Sequence, residues 1–179
     1  MNEVIILKIA GAVLILAASS FLGLYLGTVN KLRIKRLREL ENSWTLAAGE
    51  IRFGISSLPE VFRNIAVQNR DEYIKNFYET MYKSMASLDT KESFDVLWEK
   101  AVREKLSGNC LTGDDCRLVA EFGSIPLHLD TAMQLQFIER LVQQLETVIN
   151  QAQDEISVKC RIYRCVGVAA GIFLVLVLI

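Results

Sequence analysis

Two prolines and one histidine are all that this 179-residue chain holds of those residue types, and its four cysteines make no CxxC pair. Each scarcity excludes something. With only Pro59 and Pro126, and no run of alternating apolar and polar residues, the chain has neither the breaks nor the period of a sheet protein. The lone His128, set between Leu127 and Leu129, has no second histidine to complete an HExxH motif and reads as a packing or surface residue. Cys110, Cys116, Cys160 and Cys165 with one histidine do not make a usual zinc set. A phosphate-binding GxxxxGK[ST] loop and a dinucleotide fingerprint are missing as well. We therefore expect no enzyme: no catalytic, cofactor-binding or metal-binding residue is assigned. The acidic pairs Asp114–Asp115 and Asp154–Glu155 read as a helix start and a solvated face.

What the chain has in quantity is apolar length at both ends. "IAGAVLILAASSFLGLYLGTV", residues 9–29, is twenty-one residues without a charge. At ~1.5 Å per residue it is about 31 Å long, one hydrocarbon core. A cleaved signal peptide would have a basic leader and a shorter apolar stretch; here Glu3 accompanies Lys8, so a retained span is expected. The closing "YRCVGVAAGIFLVLVLI", residues 163–179, has seventeen residues, the lower limit for a crossing. A buried helix of a soluble core would keep a polar face, which Gly171 to Ile179 lacks. The expected organisation is a membrane helix at 9–29, a domain at 31–160 and a second membrane helix at 163–179.

The net charge of −1 hides an asymmetry. "KLRIKRLR" holds Lys31, Arg33, Lys35, Arg36 and Arg38, and "KCRIYR" holds Lys159, Arg161 and Arg164. From residue 39 to 158 there are eleven Lys or Arg against twenty Asp or Glu, 11 − 20 = −9. An acidic body does not suit a nucleic-acid partner. Basic residues flanking a span stay cytoplasmic, and both clusters lie on the domain side. The domain is therefore expected in the cytoplasm, with both termini across the membrane. The clusters read first as ordinary stop-transfer charges, and they also suit the anionic headgroups of a lipid bilayer.

The body reads as an all-α bundle of about six helices. Leu32, Leu37, Leu40, Trp44, Ala48 and Ile51 continue the first span as a helical stripe that ends near Gly54. "SLPE" from Ser57 is a capping box opening a short helix to about Val67. Tyr73, Phe77, Met81 and Met85 mark the next helix. Thr90 is expected to open another, with Phe94, Leu97, Trp98, Ala101 and Leu106, closed by Gly108. "TGDD" from Thr112 caps a helix ending at Gly123. Asp130 starts a long one with Leu135, Ile138, Leu141, Leu145, Val148 and Ala152 on one face.

Five stretches in order resemble the stage III sporulation protein AB family. They are "KIAGAVLILAASSFLGLYLG", "ELENSWTLAAGEIRFGISSLPEVFRNIA", "LTGDDCRLVAEFG", "MQLQFIERLVQQLE" and the closing "KCRIYRCVGVAAGIFLVLVLI". The chain departs from the family pattern at "SIPLHLDTAMQ", where it has Pro126 and Thr131. The resemblance implies a domain similar to the cytoplasmic domain of the type II secretion F protein. It further implies a scaffold in a channel-like complex between mother cell and forespore, in the mother-cell membrane around the forespore. The partners it implies are a secretion-type ATPase and other membrane subunits.

Two expectations about sites follow. The turn "RFGISSLPEVFR" offers Arg52, Glu60 and Arg63 as a docking surface for the ATPase, or as a solvated loop and cap. Gly23 and Gly27 in the first span, with Gly167 and Gly171 in the second, form two small-residue stripes at matching depth. They suit close packing of the spans in a hairpin, or contacts to an oligomer. A homo-oligomer stays open. The competing functional class is a membrane-tethered sensory or ligand-binding domain on the outside, with Cys110 and Cys116 able to pair.

Overall fold

The computed structural model describes residues 2–54, 57–87, 92–108, 110–127 and 130–178, with residue environments at 11 and 29–155. The chain divides into two compact units, Arg33–Asn150, and Met1–Leu32 with Gln151–Ile179. Among the described residues there are six α-helices: α1 (Asn2–Phe53), α2 (Leu58–Gln68), α3 (Glu72–Ala86), α4 (Phe94–Ala101), α5 (Gly113–Glu121) and α6 (Thr131–Leu178). A π-helical turn, Val102–Leu106, extends α4, and a 3₁₀ turn, Phe122–Ser124, extends α5. No strand occurs among the described residues.

The helix ends follow local chemistry. α1 stops where Gly54 takes φ +61°, a conformation that costs glycine little. At α2 the Glu60 carboxylate turns back to accept from the Ser57 amide at 3.0 Å and hydroxyl at 2.9 Å. Asp71 caps α3 by accepting from the Tyr73 and Ile74 amides. α4 opens at Phe94 behind Ser93, later than the expected Thr90, which lies outside the described residues. At α5 the box is reciprocal: Thr112 Oγ1 accepts the Asp115 amide, and Asp115 Oδ2 accepts the Thr112 amide. Asp130 accepts the Met133 amide at the head of α6.

The core of the Arg33–Asn150 unit is built around aromatic rings. Trp98 and Trp44 are fully buried. Trp98 has Phe77 edge-on at 4.9 Å, Phe122 at 4.8 Å and Phe62 at 5.5 Å. Trp44 of α1 stacks on Phe122 at 5.0 Å. The Trp98 indole N–H donates to the Val119 carbonyl at 2.7 Å, so the ring is pinned as well as packed. α6 adds Ile138, Leu141, Leu145 and Ile149 to this core, and Ala152 is buried further along the helix. Ile149 takes the place expected of Val148, which is half-buried beside it, as is Leu135. Among the described residues no helix is long and apolar enough to cross a membrane. The two stretches expected to cross, 9–29 and 163–179, fall outside the residues whose side chains are described, apart from Gly11 and Val29.

Candidate functional site

The first basic cluster lies on α1, and the structure turns part of it into the domain. Arg33 makes a two-point pair with Asp115, Nε to Oδ2 at 2.7 Å and Nη2 to Oδ1 at 2.8 Å. The Asp115 side chain has no exposure and that of Arg33 has 17%. Arg36, 12% exposed, lies 3.7 Å from Asp71 and stacks its guanidinium over the Tyr73 ring at 4.4 Å. Lys35 reaches the same carboxylate at 3.6 Å from a more open position. Asp71 and Asp115 are the residues that cap α3 and cap-box α5. One side of the α1 neck therefore grips the N-terminal ends of two other helices.

Electrostatics follow from that geometry. Burial works to raise the Asp115 carboxyl. Hydrogen bonds from Arg33 and from the Thr112 amide, with the Arg33 charge, outweigh it and hold the group below the usual carboxylate range. Lys31, Lys35 and Arg38 stay exposed. Lys159, Arg161 and Arg164 lie outside the described side chains, as do Gly23, Gly27, Gly167 and Gly171; His128 also lies outside the described residues.

Two of the three residues expected to dock a partner are engaged within the chain. Arg52 pairs with Glu139 of α6 at 3.1 Å, both well exposed. Glu60 is taken up by the α2 cap, and its carboxyl is lowered by hydrogen bonds from the Ser57 amide and hydroxyl. Arg63 is exposed on α2. Cys110 and Cys116 are both free and half-buried, so the pairing considered for an external domain is not made. Burial, with Asp115 beside it, raises the Cys116 thiol, which makes it a poor nucleophile. Among the described residues no cluster of His, Cys, Asp or Glu suits a metal ion.

Sequence reasoning missed a surface. A hollow of about 790 Å³ lies between α1 and the end of α2, with Leu46, Gly49, Phe53 and Ile65 among its walls. A second, about 440 Å³, lies between α1 and α6 and shares Thr45 and Gly49 with the first. A third, about 570 Å³, continues along α6 past Met133 and Phe137 and shares Glu139 and Gln143 with the second. Phe53 at 74% and Met133 at 53% exposure stand in this joined trough. The available signal was Phe53 itself, an aromatic residue at a helix end that the apolar stripe of α1 leaves out.

The fold and its ion-paired neck define an all-helical bundle entered by one long helix and left by another. The family of stage III sporulation protein AB matches residues 8–179. A solved structure titled stage III sporulation protein AB has 17% sequence identity and a TM-score of 0.64, covering 70% of this chain and 97% of its own. That likeness is one of fold. No curated protein matches the chain. The chain belongs to the stage III sporulation protein AB family, and its role is accordingly one in sporulation.

Proposed function

We propose that the chain is a non-enzymatic membrane platform of a sporulation complex, with its bundle in the cytoplasm beneath two terminal spans. The observation that carries this reading is the family match over residues 8–179, which includes both apolar ends as well as the bundle. The spans are residues 9–29 and 163–179, in the mother-cell membrane around the forespore. Gly23 and Gly27 pack against Gly167 and Gly171 in an antiparallel hairpin. Anionic headgroups meet Lys31, Lys35 and Arg38, the basic side chains of the first neck that remain exposed.

In this reading the bundle docks a secretion-type ATPase and passes its motion to membrane subunits. The grip of Arg33 and Arg36 on the starts of α5 and α3 supports that role, because force on the bundle reaches α1 through ion pairs as well as apolar packing. Docking falls to Arg52 and Arg63, with Glu60 shaping the turn. Capture of secretion-type ATPases by the 31–160 segment tests the reading. Arg63→Glu is the cleanest probe, since Arg63 is exposed on α2 and holds no cap. It should weaken capture without lowering the melting temperature, and unchanged capture removes this turn from the docking surface. Labelling of Cys110 in intact cells by a membrane-impermeant thiol reagent would put the bundle outside and sink the platform.

A further inference from the structure

The two clasps that join α1 to the starts of other helices are not alike. Arg33 meets Asp115 through two hydrogen bonds of 2.7 and 2.8 Å, and the Asp115 side chain has no exposure. At Asp71 the ion pairs are longer, 3.7 Å to Arg36 and 3.6 Å to Lys35, and the Lys35 side chain is 56% exposed. Asp71 is itself buried and accepts from the Tyr73 and Ile74 amides at the head of α3. Arg36 has a further hold there, its guanidinium lying 4.4 Å over the Tyr73 ring. Lys35 can therefore leave Asp71 without stranding the carboxylate, because Arg36 stays. Arg33 has no such freedom: its departure would leave a fully enclosed charge at Asp115.

We infer that Lys35 is shared between Asp71 and the phosphate of an anionic lipid headgroup, so that the charge of the bilayer loosens the head of α3. The inference rests on the proposed placement of the bundle beneath the spans. Lys35 is six residues past the proposed span 9–29, about 9 Å along a helix. The headgroup layer is roughly 5–8 Å deep. Cα–Cβ bonds in a helix tilt toward its N-terminus, here the membrane end, so a long lysine reaches back into that layer. Arg38, also exposed, lies one turn further on the same face of α1 and adds a second charge. No carboxylate interrupts residues 31–38, so Asp71 is the competitor that the fold itself brings to this stretch. A half-exposed pair is weak, which makes the exchange easy. It is also reciprocal: what the lipid gains from Lys35, the cap of α3 loses. The same lipid leaves the closed Arg33–Asp115 clasp untouched, so α3 responds to the bilayer and α5 does not.

The test is amide hydrogen exchange of the full-length chain in lipid discs, made of phosphatidylcholine alone or mixed with phosphatidylglycerol. Phosphatidylglycerol should speed exchange at the Tyr73 and Ile74 amides about two- to fivefold, the equivalent of one partly exposed ion pair. The Asp115 amide, which is bonded to Thr112 Oγ1, should keep one rate in both discs. Lys35→Gln should show the faster rate at Tyr73 and Ile74 in both discs, with no further response to phosphatidylglycerol. Arg38→Gln should lessen the response of the native chain. Inorganic phosphate added to phosphatidylcholine discs should change nothing, and a response equal to that of phosphatidylglycerol would overturn the lipid as the source. Equal rates in the two discs, a response kept by Lys35→Gln, or the same rise at the Asp115 amide would each overturn the inference and leave the platform reading standing. A chain that does not enter the discs would remove both.

Discussion

Arg33 and Asp115 stand 82 positions apart and meet through two hydrogen bonds of 2.7 and 2.8 Å. The same carboxylate accepts the Thr112 amide at 2.8 Å, so one side chain both starts α5 and holds the neck of α1. Breaking a buried pair from one side strands the other charge, at roughly 3–5 kcal/mol. We expect Asp115→Asn to cost about 3 kcal/mol, the lower end, because Arg33 keeps some access to water. Arg33→Met leaves a carboxylate with no exposure and should cost more. The double variant should lose less than the sum of the two. Urea midpoints of the 31–160 segment, which should melt cooperatively as a helical bundle, measure all three. Additive losses would show that the pair is not coupled.

The same carboxylate makes stability depend on acid. Its folded value is depressed, so its contribution is complete above the unfolded carboxyl value of about 4 and is lost as the pH falls through the lower folded value. Glu60 and Asp95 are depressed too, each by hydrogen bonds from its own cap serine, but both are solvent-exposed. The difference in stability between the native chain and Asp115→Asn should therefore be flat from pH 7 down to about 5 and shrink below about 4. A difference that persists undiminished at the lowest pH where the chain folds would assign the loss to shape and not to charge.

Gly123 has a reason that conformation does not supply. It sits in the 3₁₀ turn under Trp98, and a Cβ there would lie 2.9–3.1 Å from three atoms of that residue. Trp98 cannot swing away, because its N–H is bound to the Val119 carbonyl and its ring is enclosed by Phe62, Phe77 and Phe122. Gly123→Ala should cost roughly 1–3 kcal/mol through overpacking. The urea midpoint should fall with little change in slope. A midpoint equal to the parent's would mean that the turn yields more easily than its packing implies.

Much of this architecture was written locally. Ser57 with Glu60, Thr112 with Asp115, and Asp130 before an apolar stripe are signals spanning three or four residues, and the helices begin where they indicate. The stripe of α1 was legible because burial there has helical period. The start of α4 at Phe94, behind Ser93, was not legible, because Thr90 and Ser93 are both cap-type residues within one turn of it. The neck pairs were not legible. Five basic residues beside an apolar run look like membrane-flanking charge, and no local pattern says that Arg33 will meet an aspartate 82 positions on. The trough was hidden for a similar reason: it is made by what α2 and α6 leave uncovered on α1.

Tyr78 gives the last test of how the core is satisfied. Its ring is fully buried between Phe62 and Phe77. Its hydroxyl lies near Ser43 and the Trp44 indole but meets neither at hydrogen-bond geometry. Burial pushes the phenol far above its ordinary value, with those two neighbours opposing the shift, so the group is neutral at any pH where the bundle folds. A buried hydroxyl without a partner costs about 1–3 kcal/mol of desolvation, and removing it without changing shape gives that back. Tyr78→Phe should leave the urea midpoint unchanged or raise it. A loss of more than about 1 kcal/mol would show that the hydroxyl holds Ser43 or Trp44 after all, and that this polar pocket beside α1 is part of what fixes the core.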